Sequence, residues 1–127
     1  KVFQVCQEKM ENKQKITNFE DIICWQRSRI LANDCYLVFK NLKDYFFKDQ
    51  LLRCAVSIMN NIAEGYERQT NKELRNFLYI SKGSAGELRS MLYLARDLEY
   101  INDASFSKLK NQSIEIAKLL SGFIRKL

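Results

Sequence analysis

Proline is absent from this chain, and glycine occurs only four times in 127 residues. Sandwiches and barrels of β-strands need many tight turns, which these two residue types usually supply. A chain without them can run through long helices, because nothing in it forces the backbone out of the helical conformation. The length suits a single domain, and 46% hydrophobic with 28% charged residues is typical of a folded globular protein.

Apolar residues recur at helical spacing in four segments. The links between them are short, which places consecutive helices side by side and antiparallel. The sequence therefore predicts an all-α fold, an antiparallel up-down-up-down four-helix bundle over residues 17–127. Residues 1–16 have little periodicity and are expected to form an N-terminal arm or extension. The four helical segments are 17–43, 47–64, 70–99 and 102–127.

Several residues are typical of helix ends. Thr17 with Glu20 and Thr70 with Glu73 have the spacing of a capping box, in which a hydroxyl and a carboxylate bond reciprocally to backbone N–H groups. Asn102 or Asp103 is expected to cap the fourth helix. We expect Gly65 to end the second helix in a left-handed conformation.

Several classes of chemistry are excluded or disfavoured by composition. The chain has no histidine, so imidazole-based triads and histidine-ligated metal sites are excluded. The four cysteines form no C-x-x-C motif, and Cys35 and Cys54 are expected to be buried small hydrophobes. We expect no metal, no cofactor and a reducing, cytoplasmic environment. No apolar stretch reaches the roughly 18 residues of a membrane span, so no membrane partner is expected.

Positive charges form a regular row along the third helix. The chain carries 21 Lys and Arg against 15 Asp and Glu, a net charge of +6, and five cations recur every seven residues. Such a ridge suits a nucleic-acid backbone, but it would equally suit carboxylates of a neighbouring helix or subunit. Tyr79, Tyr93 and Tyr100 lie on the same helix and could stack on bases or serve a protein interface. The candidate nucleic-acid-binding residues are Arg68, Arg75, Lys82, Arg89 and Arg96.

Two further clusters have a structural and a functional interpretation. Gly83 and Gly86 lie in mid-helix, where each costs about 1 kcal/mol relative to alanine. Close approach of another helix or subunit would offset that cost, and the spacing is not that of a phosphate-binding loop. Glu64 could act as a general base. Without a nucleophile or second carboxylate we favour a structural role, in which Asn61 and Glu64 bond locally and fix the helix end.

The sequence resembles a known family at several of these positions. Asn61-Ile-Ala-Glu64-Gly65 with Gly83-Ser84 and Glu87, preceded by Trp25, is similar to the 23S rRNA intervening-sequence protein family, also called the S23 ribosomal protein family. The resemblance implies a bacterial antiparallel four-helix bundle, and a homopentamer in several members. It also implies a distant likeness to the accessory subunit of diversity-generating retroelements, which binds nucleic acid. The family has no assigned enzymatic reaction.

Together these observations predict a non-enzymatic, oligomeric helical bundle. Its expected partners are further copies of itself and RNA or DNA, and no catalytic residue or small-molecule substrate is expected. The alternative is a protein-interaction or scaffold module whose cations serve subunit contacts.

Overall fold

The computed structural model of the protein describes residues 16–127. A short 3₁₀ turn, Phe19–Asp21, precedes four helices: α1 (Ile23–Phe39), α2 (Tyr45–Glu67), α3 (Asn71–Asp97) and α4 (Asp103–Arg125). Each helix packs on the next, and α1 also packs on α4, which closes the bundle. The prediction of an all-α four-helix bundle is confirmed.

The core is built from side chains three and four residues apart on each helix. On α3 it buries Leu74, Leu78, Leu88 and Leu92, the spacing that places apolar groups on one helix face. Helix α1 buries residues on two sides because it contacts both α2 and α4. Tyr36 and Val38 of the same helix are exposed.

Cys35 is fully buried in this core, as predicted. Burial raises the pKa of its thiol to about 12, and the charge of neighbouring Asp34 acts in the same direction. The thiol therefore stays protonated at neutral pH and packs as a small apolar group.

Side chains cap three of the four helices at their N-termini. The Thr70 hydroxyl accepts from the Glu73 N–H at 3.1 Å, and Asn102 Oδ1 accepts from the Ser105 N–H at 2.7 Å. Asp44 Oδ1 accepts from the Phe47 N–H at 3.1 Å. These bonds satisfy backbone donors that have no partner within the helix.

The capping box predicted at Thr17 and Glu20 is wrong. The carboxylate that reaches back is that of Asp21, which accepts from the backbone N–H groups of Thr17 and Asn18, each at 3.2 Å. Only a 3₁₀ turn follows, because the next residue, Ile22, is extended and fully buried. Helix α1 therefore begins at Ile23.

The predicted ends of α2 and α3 are corrected as well. Gly65 lies inside α2, which continues to Glu67, and it does not have a positive φ. The left-handed residue is Glu99, with φ of 61°, just after α3. The Tyr100 N–H donates to the Ala95 carbonyl at 2.8 Å and the Glu99 N–H donates to that of Arg96 at 2.9 Å. This pair of bonds is a Schellman motif.

The predicted arm, residues 1–16, lies outside the described residues except for Ile16, which is buried against the bundle. None of the helices described is both long and apolar enough to cross a membrane.

Candidate nucleic-acid interface

A groove runs along the surface between α3 and α4. Two adjoining cavities, of about 460 and 160 Å³, share Ser121 and Arg125 in their walls and form one depression. We call it the α3–α4 groove. Its lining residues are Tyr79, Lys82, Arg89, Ile114, Ala117, Lys118, Ser121, Ile124 and Arg125.

Four cations line the α3–α4 groove. Lys82 and Arg89 come from α3, and Lys118 and Arg125 come from α4. Seven residues separate the members of each pair, so each pair spans about 10 Å of helix. Because the helices are antiparallel, Lys82 lies near Arg125 and Arg89 near Lys118. The groove lining contains no aspartate or glutamate.

Lys118 and Arg125 were not among the predicted site residues. The seven-residue spacing that they share with the α3 cations was a usable signal, since it places both on one face of α4. The helix that this face meets depends on how the bundle packs. The sequence alone therefore did not predict that the two pairs of cations share one groove.

The middle cations of the predicted ridge have no ion-pair partner among residues 16–127. No carboxylate of that range lies within 4.0 Å of Arg75, Lys82 or Arg89. Lys82 is exposed, and the other two are half-buried. Their charges are therefore available to an external anion.

The surface where α1 meets α4 carries charges of both signs. Arg27 of α1 pairs with Glu115 of α4. Asp34 of α1 accepts from Gln112 Nε2 at 3.0 Å and lies 3.7 Å from Lys108 Nζ. Both signs of charge therefore meet on this side of α4, whereas the α3–α4 groove carries only positive charge.

The two ends of the ridge are engaged within the chain. The Arg68 guanidinium lies 3.1 Å from Glu64 and 3.8 Å from Glu73, and it covers the Phe77 ring at 4.9 Å. At the other end, the Arg96 guanidinium lies 4.2 Å from the centre of the Phe106 ring. These two arginines join neighbouring helices and contribute less free charge than the middle three.

The residues that carry the family resemblance lie mainly where α2 meets α3. Asn61 Nδ2 donates to the Ser57 carbonyl at 2.8 Å and to its hydroxyl at 2.9 Å. That hydroxyl lies 2.9 Å from the Ser84 hydroxyl across the interface. Glu64 bonds locally to Arg68 at the end of α2. Asn61 and Glu64 therefore both make local hydrogen bonds, Asn61 within α2 and Glu64 at its end.

Two other motif residues make contacts away from the groove. Trp25 is buried and meets the Phe19 ring edge-on at 5.1 Å. Glu87 lies on the side of α3 that faces α2, 3.9 Å from Cys54 Sγ. Burial raises the pKa of the half-buried Cys54 thiol, and the negative charge of Glu87 raises it further.

The close approach predicted at the mid-helix glycines is not made by any helix of the described chain. A Cβ added at Gly83 or Gly86 would meet no atom within 4 Å in the described structure. The close approach occurs at Gly65, where a Cβ would lie 2.8 Å from Phe77 Cβ and 3.0 Å from Leu74 Cδ1. Gly65 faces α3, whereas Gly83 and Gly86 face outwards, so the approach of another subunit to these two glycines stays a prediction.

Glu64 also lines a larger depression of about 680 Å³, together with Asp49 and Arg53. Asp49 and Glu64 are fifteen positions apart on α2, or about 22 Å along its axis. That separation is too large for a carboxylate pair acting on one substrate bond, which needs about 5–10 Å. Within residues 16–127, no three Asp, Glu or Cys side chains lie close enough together to hold a metal ion.

Comparison with known proteins places this bundle in a family. A solved structure of a protein of unknown function from the S23 ribosomal protein family of Bacteroides thetaiotaomicron is similar, with a TM-score of 0.74 and 29% identity. The match covers 80% of this chain and 98% of the other. No curated protein matches the chain. The profile of the 23S rRNA-intervening sequence protein family matches residues 20–122, so the chain belongs to that family.

Proposed function

We propose that this protein is a non-enzymatic nucleic-acid-binding bundle that holds a sugar-phosphate backbone in the α3–α4 groove. The observation that carries the proposal is the convergence of Lys82, Arg89, Lys118 and Arg125 on one groove without an acidic residue. The family takes its name from intervening sequences of 23S rRNA, which makes RNA the first ligand to test. The cytoplasmic location is part of this proposal; it was predicted because a disulfide framework is improbable in a helical chain of this size.

The absence of in-chain partners in residues 16–127 favours this function energetically. A phosphate that approaches Lys82 or Arg89 displaces counterions and water but no carboxylate of the described chain. Each phosphate contact adds about 0.7–0.9 to the slope of log affinity against log salt. Four contacts therefore predict a slope of about −3 to −4.

The test is a binding titration with a fluorescently labelled 23S rRNA fragment at several salt concentrations. The variant Lys82→Glu/Arg89→Glu should bind at least about tenfold more weakly, because two attractive contacts become repulsive. The control Lys40→Glu/Arg53→Glu changes the net charge equally at exposed positions outside the groove. Equal losses in both variants, or a wild-type affinity that does not vary with salt, would contradict the proposal.

Self-association is the second candidate function, and a separate surface favours it. Large apolar side chains are exposed where α1 ends and α2 begins: Leu37 and Tyr45 are each 65% exposed and Phe46 is 76% exposed. Clustered apolar exposure of this kind is typical of protein interfaces. We propose that copies of this chain associate through it, in a pentamer as the family resemblance implies.

The mass of the protein in solution tests this second proposal and the alternative role of the cations. The wild type should have about five times the chain mass of 15.0 kDa, and Leu37→Asp/Phe46→Asp should reduce the mass to that of one chain. If Lys82→Glu/Arg89→Glu also dissociates the assembly, the cations serve subunit contacts instead. A wild type with the mass of one chain would rule out self-association.

A further inference from the structure

Two exposed tyrosines follow the basic ridge along α3. Tyr79 lies four residues after Arg75 and three before Lys82, and Tyr93 has the same relation to Arg89 and Arg96. Residues three and four apart are neighbours on a helix surface, so each ring is flanked by two cations. The tyrosines are 54% and 42% exposed.

Both rings lie on the side of α3 that faces α4. Tyr79 lines the α3–α4 groove beside Lys82 and Arg125. Tyr93 meets the Phe106 ring edge-on at 4.9 Å. Fourteen residues separate the two tyrosines, so they stand about 21 Å apart along the helix.

Gly86 lies midway between the two tyrosines and leaves the helix surface uncovered there. It is exposed, and a Cβ at this position would meet nothing within 4 Å in the described structure. An extended strand could therefore pass from one ring to the other without meeting a side chain at the midpoint. A glycine at this position otherwise costs helix stability, at about 1 kcal/mol relative to alanine.

We propose that the α3–α4 groove binds single-stranded nucleic acid in preference to duplex, with bases stacked on Tyr79 in the groove and on Tyr93, one helical turn beyond Arg89. This inference rests on the function proposed above. Single-strand binding sites combine a cationic path for the backbone with aromatic rings on which successive bases stack. A duplex keeps its bases paired and stacked internally, so it can satisfy the cations but offers no base face to a tyrosine.

The experiment compares a labelled, non-self-complementary 20-nucleotide RNA with the same strand annealed to its complement, by fluorescence anisotropy over a range of salt. The wild type should bind the single strand at least about fivefold more tightly at equal salt. Tyr79→Leu should remove about fivefold of single-strand affinity, leave duplex affinity unchanged and leave the salt slope intact. Tyr79→Phe keeps the ring and should bind like the wild type.

The outcomes separate this inference from the proposal on which it rests. Equal affinity for both probes, tighter binding of the duplex, or unchanged single-strand binding by Tyr79→Leu would overturn the stacking inference. In each of those cases, if Lys82→Glu/Arg89→Glu still loses binding affinity, the groove remains a site that binds the nucleic-acid backbone. If the wild type binds neither probe, both proposals fail. Tyr79 is exposed, so a melting curve should show Tyr79→Leu to be folded.

Discussion

Gly65 of α2 lies so close to α3 that a Cβ on it would stand 2.8 Å from Phe77 Cβ. No real Cβ contact is that short, so the two helices pack at a distance that only glycine allows. Ser81 contributes to the same interface, because its hydroxyl donates to the Ile58 carbonyl of α2 at 2.7 Å. Small residues on both helices therefore set the spacing of the α2–α3 pair.

Gly65→Ala is expected to destabilise the fold. The added methyl group must displace Phe77 or separate the helices, and overpacking of this kind costs about 1–3 kcal/mol. Urea denaturation followed by circular dichroism measures the loss directly. An unchanged denaturation midpoint would show that the α2–α3 interface accommodates the added methyl group without loss of stability.

Gly83→Ala and Gly86→Ala are expected to have the opposite effect. Neither glycine has a positive φ, and a Cβ at either meets no atom of the described structure. Each alanine should therefore raise the free energy of unfolding by about 0.5–1 kcal/mol through helix propensity. The same denaturation assay applies, and a destabilised Gly86→Ala in an assembled protein would place a second subunit against this face.

Glu99→Gly is expected to stabilise the protein by about 1 kcal/mol. Glu99 adopts φ of 61°, a region in which a side chain is strained and glycine is not. A matched control is Ser90→Gly, at an exposed helical position of α3, which should lower stability. The thermal midpoints of the two variants should move in opposite directions, and a shift of both downwards would contradict the strain at Glu99.

The hydrogen bond between Tyr100 and Asp44 predicts a pH-dependent stability. The Tyr100 hydroxyl donates to Asp44 Oδ2 at 2.6 Å and joins the α1–α2 link to the α3–α4 link. This bond, with the Phe47 N–H, lowers the pKa of Asp44 below its ordinary 3.8. The same bond raises the pKa of Tyr100 above its ordinary 10.0, and burial and the Asp44 charge add to the effect.

The stabilisation from this hydrogen bond is lost at low pH through Asp44 and at high pH through Tyr100. The stabilisation from Asp44 is present above pH about 4 and is lost as pH falls through its lowered pKa. The stabilisation from Tyr100 is present below pH about 10 and is lost as pH rises through its raised pKa. Tyr100→Phe keeps the ring contact with Phe47 and should be less stable near neutrality. The difference in free energy of unfolding between Tyr100→Phe and the wild type should disappear at both extremes of pH. A difference that does not change with pH would contradict this prediction.

Arg68 and Arg89 should separate stability from binding. Arg68→Gln removes contacts with Glu64, Glu73 and Phe77, so it should lower stability by up to about 1 kcal/mol and change nucleic-acid affinity little. Arg89→Gln removes a cation with no carboxylate partner in residues 16–127, so it should lower nucleic-acid affinity and change stability little. Paired melting and anisotropy measurements check both variants. If both variants lose nucleic-acid affinity equally, Arg68 is part of the binding surface.

Much of the fold was predictable because burial follows helical spacing. The stripe containing Leu74, Leu78 and Leu88 is visible in the sequence and is buried as expected. The cap at Thr70 was also predictable, since a cap depends on residues within one turn. The end of α2 was not, because glycine is common both at helix ends and at helix contacts. Only the position of Phe77 distinguishes the two roles of Gly65.

The candidate site was predictable only on one of its two helices. Periodicity placed Arg75, Lys82 and Arg89 on a single ridge, but it gave no information about which cations would find a partner. Arg68 is engaged because the turn after α2 brings Glu64 and Glu73 to it.

The sequence by itself determined the helical class, the four apolar stripes and the row of cations on the third helix, because each depends on residues a few positions apart. The tertiary structure alone decided that α4 adds Lys118 and Arg125 to that row and that Glu115 turns away to Arg27. The physical reason is that charges on different helices meet through the rotation and spacing of the packed helices. That packing is fixed by core contacts such as Gly65 against Phe77, which lie between α2 and α3 and not in the groove itself.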